Sequence, residues 1–267
     1  MIKKIRIRKW LKIAAAVLLA LLLLTAGISF FYPDVSKLKK ENPKKTAFME
    51  YRENEWRRQG KKKRITHLWV PFSAISPYAV KAVIIAEDDK FWQHEGFDFE
   101  AMQKALEKDL KQKKLKAGGS TISQQLAKNL YLSPSKNPIR KLREAVLTRR
   151  IEKALSKRRI LELYLNVVEW GDGIFGIEAA ARHYFGKSAA DLTPREAAKL
   201  AAVLPNPRRY HPTGTSRYVE NQSERIYSIM VQRGIVIPEF EDAMKADDNP
   251  STEPTGAGRP DKSAIGP

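Results

Sequence analysis

The sequence predicts a mainly α-helical protein. Capping residues mark helix starts, as at Ser76-Pro77 and in the capping box Thr193–Glu196. Apolar side chains recur at helical spacing, as at Ile122, Leu126 and Leu130. No stretch of any length shows the alternation of apolar and polar residues that is typical of a half-buried strand. With 267 residues, of which 43% are hydrophobic, the chain is long enough to enclose a real core.

The N-terminus predicts a membrane anchor. Residues 1–12 carry six basic residues and no acid, and residues 13–32 run for twenty positions without a charge. That length suffices to cross the hydrocarbon core as a helix. A cleavable signal peptide is the alternative, but its apolar core is usually shorter, and no clear cleavage site stands near Ala26. We therefore expect an uncleaved transmembrane helix at 13–32, a cytoplasmic basic segment at 1–12, and a body outside the cytoplasmic membrane.

The elements that follow are predicted from caps and periodicity. Residues 33–64 are polar and lysine-rich and indicate a juxtamembrane connector, partly helical around Phe48 to Trp56. Residues 65–72 form a short extended element at best, and a buried helix then runs from Ser76 to near Asp89. A second helix opens at Gly118-Gly119-Ser120.

A third helix begins at Asn137-Pro138, with Ile139, Leu142 and Val146 predicted to face inward. Four more are predicted from their apolar patterns, over 158–170, 174–186, 194–204 and 223–235. The folded domain is thus expected over 65–246, and the tail 247–267 has the composition of a disordered segment.

The formal net charge of +19 favours an anionic partner, which is nucleic acid, anionic lipid or a phosphorylated substrate. No nucleic-acid-binding module is recognisable, since neither zinc-finger spacing nor a leucine heptad after a basic region occurs. The chain has no cysteine, which excludes disulfides, thiol nucleophiles and cysteine metal sites. No HExxH or comparable metal spacing is present.

The acids at the end of the helix predicted from Ser76 to near Asp89 are the first candidates for catalytic residues. Glu87 is expected at the negative end of a helix dipole, close to the rings of Phe91, Trp92 and Phe97. Partial desolvation by these rings would raise its pKa and make it a useful general base or acid. The alternative is a solvated acidic helix end. His94 could be a ligand, a proton carrier or a hydrogen-bonded structural histidine, and a lone histidine is most often the last. Gly96 supplies a backbone angle that other residues avoid.

Two further segments carry polar side chains at helical spacing. Hydroxyls and free amides at the start of the second helix suit a phosphate or sugar oxygen. The polar stripe on this helix is either a binding face or an ordinary amphipathic surface, and it comprises Ser120, Thr121, Gln124, Gln125, Lys128 and Asn129. On the third helix Arg140, Lys141 and Glu144 share one face, either as a surface ion pair or as a site for a diphosphate.

Taken together, these segments resemble the peptidoglycan glycosyltransferases of glycosyltransferase family 51, in their monofunctional biosynthetic form. The resemblance spans roughly residues 70–210 and the anchor. The family's motif E-D-x-x-F-x-x-H-x-G is met by Glu87, Asp88, Phe91, His94 and Gly96. G-G-S-T-I-T-Q-Q is met over 118–125, with Ser123 in place of a threonine, and R-K-x-x-E is met by Arg140, Lys141 and Glu144. The motif around K-x-x-I-L-E-x-Y-L-N is met over 157–166, and Lys136 stands where the family often has arginine.

The resemblance implies a lysozyme-like fold with a small membrane-proximal lobe, and an enzyme that polymerises lipid II into β-1,4-linked glycan strands outside the cytoplasmic membrane. It implies that Glu87 is the catalytic base and that Glu144 orients the cations or assists at the diphosphate. It also implies a wider substrate-binding set of Asp88, Phe91, His94, Gly96, Ser120, Thr121, Gln124, Gln125, Lys128, Asn129, Lys136, Arg140 and Lys141.

A divalent cation (Mg²⁺ or Mn²⁺) at the diphosphate is an open alternative, because several members use one, although no dedicated metal cage is visible. The expected partners are lipid II, nascent glycan strands, the membrane and other cell-wall synthesis proteins, with no nucleic acid.

Two other functions stay open on the residues alone. A lysozyme-like lytic enzyme could use Glu87 as a general acid, but it would have no diphosphate for the cations around Arg140 to hold. A non-catalytic, membrane-anchored basic module would explain the charge runs at 61–64 and 157–159 as surfaces that face lipid headgroups.

Overall fold

The computed structural model describes residues 32–112, 118–134 and 138–237, together with Val17 and Leu19. The segment 1–12, the tail 247–267 and nearly all of the predicted anchor 13–32 lie outside these residues. Among the described residues, no helix combines the length and the apolar character needed to span a membrane.

The described residues form nine α-helices and three short strands, which confirms the mainly α class. The helices are α1 (Ala47–Arg58), α2 (Pro77–Glu87), α3 (Phe99–Gln112), α4 (Ile122–Tyr131), α5 (Pro138–Ala154), α6 (Lys157–Val167), α7 (Ile177–Phe185), α8 (Pro194–Val203) and α9 (Arg217–Gln232). The strands are β1 (Thr66–His67), β2 (Glu169–Gly171) and β3 (Ile174–Phe175).

The helix starts follow the caps seen in the sequence. Thr193 and Glu196 form the predicted capping box at α8, and Pro77 is the first residue of α2. Gly186 takes the left-handed conformation that ends α7, with φ of 69°. These ends were predictable because capping depends on residues that are close in the chain.

Two helical groups position the site. In one, α2 packs against α8 and α9, and in the other, α4 packs against α1, α5 and α6. Buried residues of α2, α4, α5, α6, α8 and α9 belong to one core, in which Ile122, Leu126 and Tyr164 are fully buried. The end of α2 and the start of α4 therefore meet at the junction of the two groups, where Asp88 accepts a hydrogen bond from the Ile122 amide.

The small sheet has the order β1–β3–β2, with β1 parallel and β2 antiparallel to β3. The prediction that residues 158–170 are one helix is wrong at its end, because α6 stops at Val167 and β2 begins at Glu169. Asp172 and Gly173 form the turn between β2 and β3, and Gly173 has φ of 89°. An Asp-Gly pair is a hairpin signal, and it was present in the sequence.

The predicted orientation of α5 is also wrong. Ile139 and Leu142 are 65% and 68% exposed, and Val146 is only partly buried. The buried face of α5 lies almost opposite and contains Glu144, Leu147, Thr148 and Ile151. The apolar stripe was recognisable, but which side of the helix the rest of the protein covers depends on tertiary packing.

The segment 33–64, expected to be a connector, contains a 3-10 helix (Val35–Lys39) and α1. Met49 and Trp56 of α1 are buried, and Arg52 forms a bidentate ion pair with the buried Glu169 on β2, at 2.8–3.0 Å. The helix expected around Phe48 to Trp56 is confirmed, and it packs on the folded body, while the domain boundary itself stays a prediction.

Candidate active site

Glu87 is the last residue of α2, and its carboxylate is held by a chain of two hydrogen bonds. Gln125 Nε2 on α4 donates to Glu87 Oε2 at 2.5 Å. The hydroxyl of Tyr164 on α6, which is fully buried, donates to Gln125 Oε1 at 3.1 Å. Because Tyr164 occupies the amide oxygen, the amide nitrogen of Gln125 is turned toward Glu87. Tyr164 lies within the motif over 157–166 but was not singled out as a site residue.

Burial raises the pKa of the Glu87 carboxyl, and the Gln125 hydrogen bond and the charge of Lys128 only partly offset this effect. The direction agrees with the expectation from the sequence. Two tyrosines that the sequence did not indicate, Tyr164 and Tyr218, are close enough to Glu87 for its charge to help raise their own pKa values, after the larger effect of burial. Glu87 is therefore a carboxyl group that can exchange a proton nearer to neutrality than an ordinary glutamate.

Asp88 and His94 hold the turn after Glu87. Asp88 is buried and accepts from the Ile122 amide at 2.9 Å and from His94 Nε2 at 2.8 Å. The Gly96 amide donates to His94 Nδ1 at 3.1 Å, so the proton of the neutral ring lies on Nε2. His94 is thus a hydrogen-bonded structural histidine, as the simplest interpretation of the sequence had it, and a contact of Asp88 or His94 with substrate stays a prediction.

Gly96 is required by its backbone and by its surroundings. Its φ is 92°, and a Cβ there would lie 2.9 Å from side-chain atoms of Thr148 and Glu152. Glu152 in turn accepts hydrogen bonds from Ser123 on α4 and, at 2.8 Å, from Lys157 on α6. The ammonium of Lys157 lies 4.6 Å from the ring centre of Phe91, which is fully buried. Phe91 and Gly96 therefore pack the loop that follows Glu87 against α5 and α6.

The polar stripe of α4 is largely internal. Thr121 and Gln124 form a capping box, and the Thr121 hydroxyl also donates to the Gly96 carbonyl at 2.7 Å. Both side chains are 2% exposed, and Asn129 is 4% exposed. The structure gives Thr121 and Gln124 a structural task, and their contact with substrate stays a prediction, as does that of Asn129.

Lys128 on α4 is influenced by the charges of both Glu87 and the ionic cluster on α5. It is partly buried, and burial lowers its pKa, while the charges of Glu144 and Glu87 act in the opposite direction. The same electrostatic neighbourhood includes Arg140 and Lys141, which disfavour its charge. The charges that act on Lys128 are thus two other cations, Arg140 and Lys141, and two carboxylates, Glu87 and Glu144.

The predicted cluster on α5 is present. Arg140 Nη1 donates to Glu144 Oε2 at 2.8 Å, and Lys141 forms an ion pair with the other oxygen, Oε1. Glu144 is only 3% exposed, so this cluster differs from an ordinary surface ion pair. Lys141 also donates to Ser120 Oγ at 3.4 Å, which brings the start of α4 to the same place. A buried carboxylate here orients two cations toward the region that Lys128 occupies.

Two cavities share Glu87 as a wall residue. The larger, of about 270 Å³, is lined by Glu87, Asp88, Lys90, Lys104, Ser120 and Thr121, among others. The smaller, of about 150 Å³, lies between α2, α8 and α9 and is lined by Ile85, Glu87, Tyr218, Gln222 and Arg225, among others. The residues on α9 carry hydrogen-bonding groups and an aromatic ring, and no pattern in the sequence indicated that they belong to the site.

The structure therefore brings together Glu87, Gln125, Lys128, Ser120, Arg140, Lys141 and Glu144. The loop after Glu87 is held in place by Asp88, Phe91, His94 and Gly96. Lys136, the remaining predicted residue, lies outside the described residues.

Known proteins are similar to this chain over a range that includes the candidate site. Residues 53–231 match a family model described as Transglycosylase. A protein of Nitrosospira multiformis named biosynthetic peptidoglycan transglycosylase is 50% identical over 194 residues, which are 73% of this chain and 84% of that protein. Proteins of the same name from Aromatoleum aromaticum and Azoarcus sp. are 56% and 51% identical, over 71% and 75% of this chain and 82% and 87% of their own lengths.

Proposed function

The chain belongs to the transglycosylase family, and from that premise we propose that it joins lipid II units into β-1,4-linked glycan strands with release of polyprenyl diphosphate. The enzyme is a peptidoglycan glycosyltransferase, as the family and the names of its relatives support. The observation that carries the finer proposal is that α4 and the segment just before it contact both parts of the site: Gln125 donates to Glu87, and Ser120 accepts from Lys141 of the cation cluster on α5.

Glu87 is the general base in this proposal. The 4-hydroxyl of the acceptor sugar attacks the anomeric carbon of the donor, and its proton passes to the Glu87 carboxylate. Oε2 of Glu87 accepts from Gln125, and Oε1 has no hydrogen-bond partner within 32–112, 118–134 and 138–237. Oε1 is therefore the oxygen that would take the proton. Attack on the face opposite the leaving group converts an α-linked donor into a β-linked product.

The cations stabilise the leaving group. As the bond from the anomeric carbon to the diphosphate oxygen breaks, the diphosphate takes the electron pair and gains negative charge. Lys128, Arg140 and Lys141 are the groups that would meet that charge. Because Glu144 is buried and forms ion pairs with both Arg140 and Lys141, we assign it the role of positioning them.

No reaction step is assigned to a metal ion. In the described part of the chain, no group of three or more histidine, aspartate or glutamate side chains is arranged to hold one. Glu144, the carboxylate nearest the cation cluster, is already paired with two cations. A divalent ion, where one takes part, would be held mainly by the diphosphate of the substrate.

The membrane is proposed as the second partner. Helix α3 exposes an apolar stripe, with Phe99 74%, Leu106 57% and Leu110 69% exposed, and Ile139 and Leu142 on α5 are exposed as well. An amphipathic helix with an open apolar side suits burial at the level of the headgroups. We propose that the exposed apolar faces of α3 and α5 lie on the outer face of the bacterial cytoplasmic membrane, with 13–32 as a single-pass anchor and 1–12 in the cytoplasm.

Membrane contact by α3 is testable with one fluorescent label. The chain has no cysteine, so Leu110→Cys provides a single attachment point for an environment-sensitive dye. In the full chain reconstituted in phosphatidylglycerol vesicles, we expect blue-shifted emission that a lipid-borne quencher suppresses. The matched control is Ser228→Cys on α9, an exposed position. Equal, water-like emission at both positions would contradict the proposed contact.

The proposed reaction is separated from its rivals by the choice of substrate. Incubation of the full chain with lipid II should give glycan polymer and free polyprenyl diphosphate, whereas purified glycan strands should stay intact. Cleavage of the strands without polymer would indicate a lytic enzyme. Neither product, together with binding to anionic vesicles, would indicate a non-catalytic basic module.

A further inference from the structure

Arg233 and Asp89 form a bidentate ion pair at the edge of the candidate site. Arg233 Nη1 lies 2.6 Å from Asp89 Oδ1, and Nη2 lies 2.8 Å from Oδ2. Asp89 is two residues beyond Glu87, and Arg233 directly follows α9. The pair therefore joins the segment that carries Glu87 to a helix 144 residues further along the chain.

The three consecutive acids at the end of α2 point to three different partners. Glu87 faces Gln125, Asp88 bonds the Ile122 amide and His94, and Asp89 bonds Arg233. Asp88 thus attaches the segment after Glu87 to the start of α4, and Asp89 attaches it to the end of α9. Fixing the residues that follow Glu87 limits the positions that its carboxylate can take.

The backbone from which Arg233 extends is itself held. The Arg233 amide donates to the Ile229 carbonyl at 3.0 Å, and the Ile235 amide donates to the Met230 carbonyl at 2.9 Å. Gly234 has φ of 65°, and Met230 is fully buried. The side chain therefore starts from a rigid helix end, which reduces the conformational entropy lost when the ion pair forms.

Helix α9 also supplies one wall of the 150 Å³ cavity that Glu87 shares, through Tyr218, Gln222 and Arg225. The width of that cavity depends on where α9 lies relative to the end of α2. Helix α9 packs on α2 and α8. The Arg233–Asp89 ion pair adds a direct polar contact between the end of α9 and the residues that follow α2.

We propose that Arg233 and Asp89 are a positioning pair, which fixes the distance between Glu87 and the α9 wall of the cavity and so sets the rate of glycosyl transfer. The proposal rests on the proposed function of Glu87. Neither residue touches the reacting atoms; both act through the placement of Glu87. Their side chains are 47% and 49% exposed, so the effect should be moderate and should weaken as salt is added.

The test compares Arg233→Gln, Asp89→Asn and the exchanged pair Asp89→Arg/Arg233→Asp in steady-state polymerisation of lipid II. We expect each single change to lower kcat about 3- to 10-fold with little change in KM, and the exchanged pair to recover to within about twofold of the parent. The matched control is Arg195→Gln, which breaks another exposed ion pair of α9, with Glu224, and should change kcat by less than about twofold. Because kcat is expressed per folded protein, a pair that only stabilised the fold would leave kcat of the single variants unchanged, and the recovery in the exchanged pair shows that the loss comes from the ion pair itself.

Amide hydrogen exchange of residues 88–95 gives a second measurement that needs no substrate. Exchange should rise in both single variants and return toward the parent in the exchanged pair. Unchanged kcat in the single variants, an equal loss in Arg195→Gln, or no recovery in the exchanged pair would overturn the proposal. If the parent protein makes no polymer from lipid II, the proposed function fails, and the exchange measurement still decides whether the pair holds the Glu87 segment.

Discussion

Glu87→Gln is expected to reduce polymer formation to a small residual rate while leaving the fold and lipid II binding intact. Glutamine keeps the shape of glutamate and can still accept the hydrogen bond from Gln125, but it cannot take a proton from the acceptor hydroxyl. Loss of a general base typically lowers the rate by about 10²- to 10⁴-fold. The measurement is the initial rate of glycan polymer formation from lipid II.

The control for this variant is thermal unfolding. Burial raises the pKa of Glu87, so the folded protein disfavours the charged form, and a neutral side chain should leave Tm unchanged or slightly higher. Turnover near that of the parent in a folded Glu87→Gln protein would rule out the base assignment.

Lys128→Met should cause the next largest loss, of about 10²- to 10³-fold in kcat/KM, because it removes a partly buried cation from the proposed path of the leaving diphosphate. Methionine retains most of the apolar stem of lysine, so packing around α4 should be preserved. Since burial lowers the pKa of Lys128, removal of its charge should not destabilise the fold. The measurement is the polymerisation rate over a range of lipid II concentrations.

Lys141→Ala provides the comparison for Lys128→Met. Lys141 has a side chain that is 51% exposed and therefore better screened by solvent, so its loss should weaken binding of a diphosphate lipid by a smaller factor. If Lys128→Met retained the parent kcat/KM while Lys141→Ala lost it, the leaving group would be met by Lys141 and not by Lys128, and the proposed role of Lys128 would be wrong.

Local signals in the sequence accounted for much of the fold. The cap at Thr193 and the glycine at position 186 depend on neighbours within one helical turn, and the structure agrees with both. Ser76 stands at the N-cap position of α2, but its hydroxyl donates to the Leu192 carbonyl at 2.8 Å and not to the helix. Helix α3 was not predicted, although Phe99, Met102, Leu106 and Leu110 recur at helical spacing. The hairpin of β2 and β3 was missed because its strands are only three and two residues long.

The candidate site was partly predictable for the same reason. Motif residues that are close in sequence, such as Arg140, Lys141 and Glu144, were correctly placed on one helix face. Contacts between distant segments were not predictable from local patterns. The bond from Tyr164 to Gln125 joins residues 39 positions apart, and the Arg233–Asp89 pair joins residues 144 positions apart. These contacts appear only once α2, α4, α6 and α9 are packed together.

The dependence of kcat on pH tests the role of Glu87 most directly. A general base works only when it is deprotonated, so activity must fall as the pH drops through the pKa of Glu87 in the folded enzyme. Because burial raises that pKa, the fall should begin at a higher pH than for an ordinary glutamate, whose pKa is about 4.3. We expect an acid limb of this kind in the parent enzyme, and a residual rate in Glu87→Gln that lacks it. A parent profile that is flat through the weakly acidic range, or an identical acid limb in Glu87→Gln, would contradict the assignment.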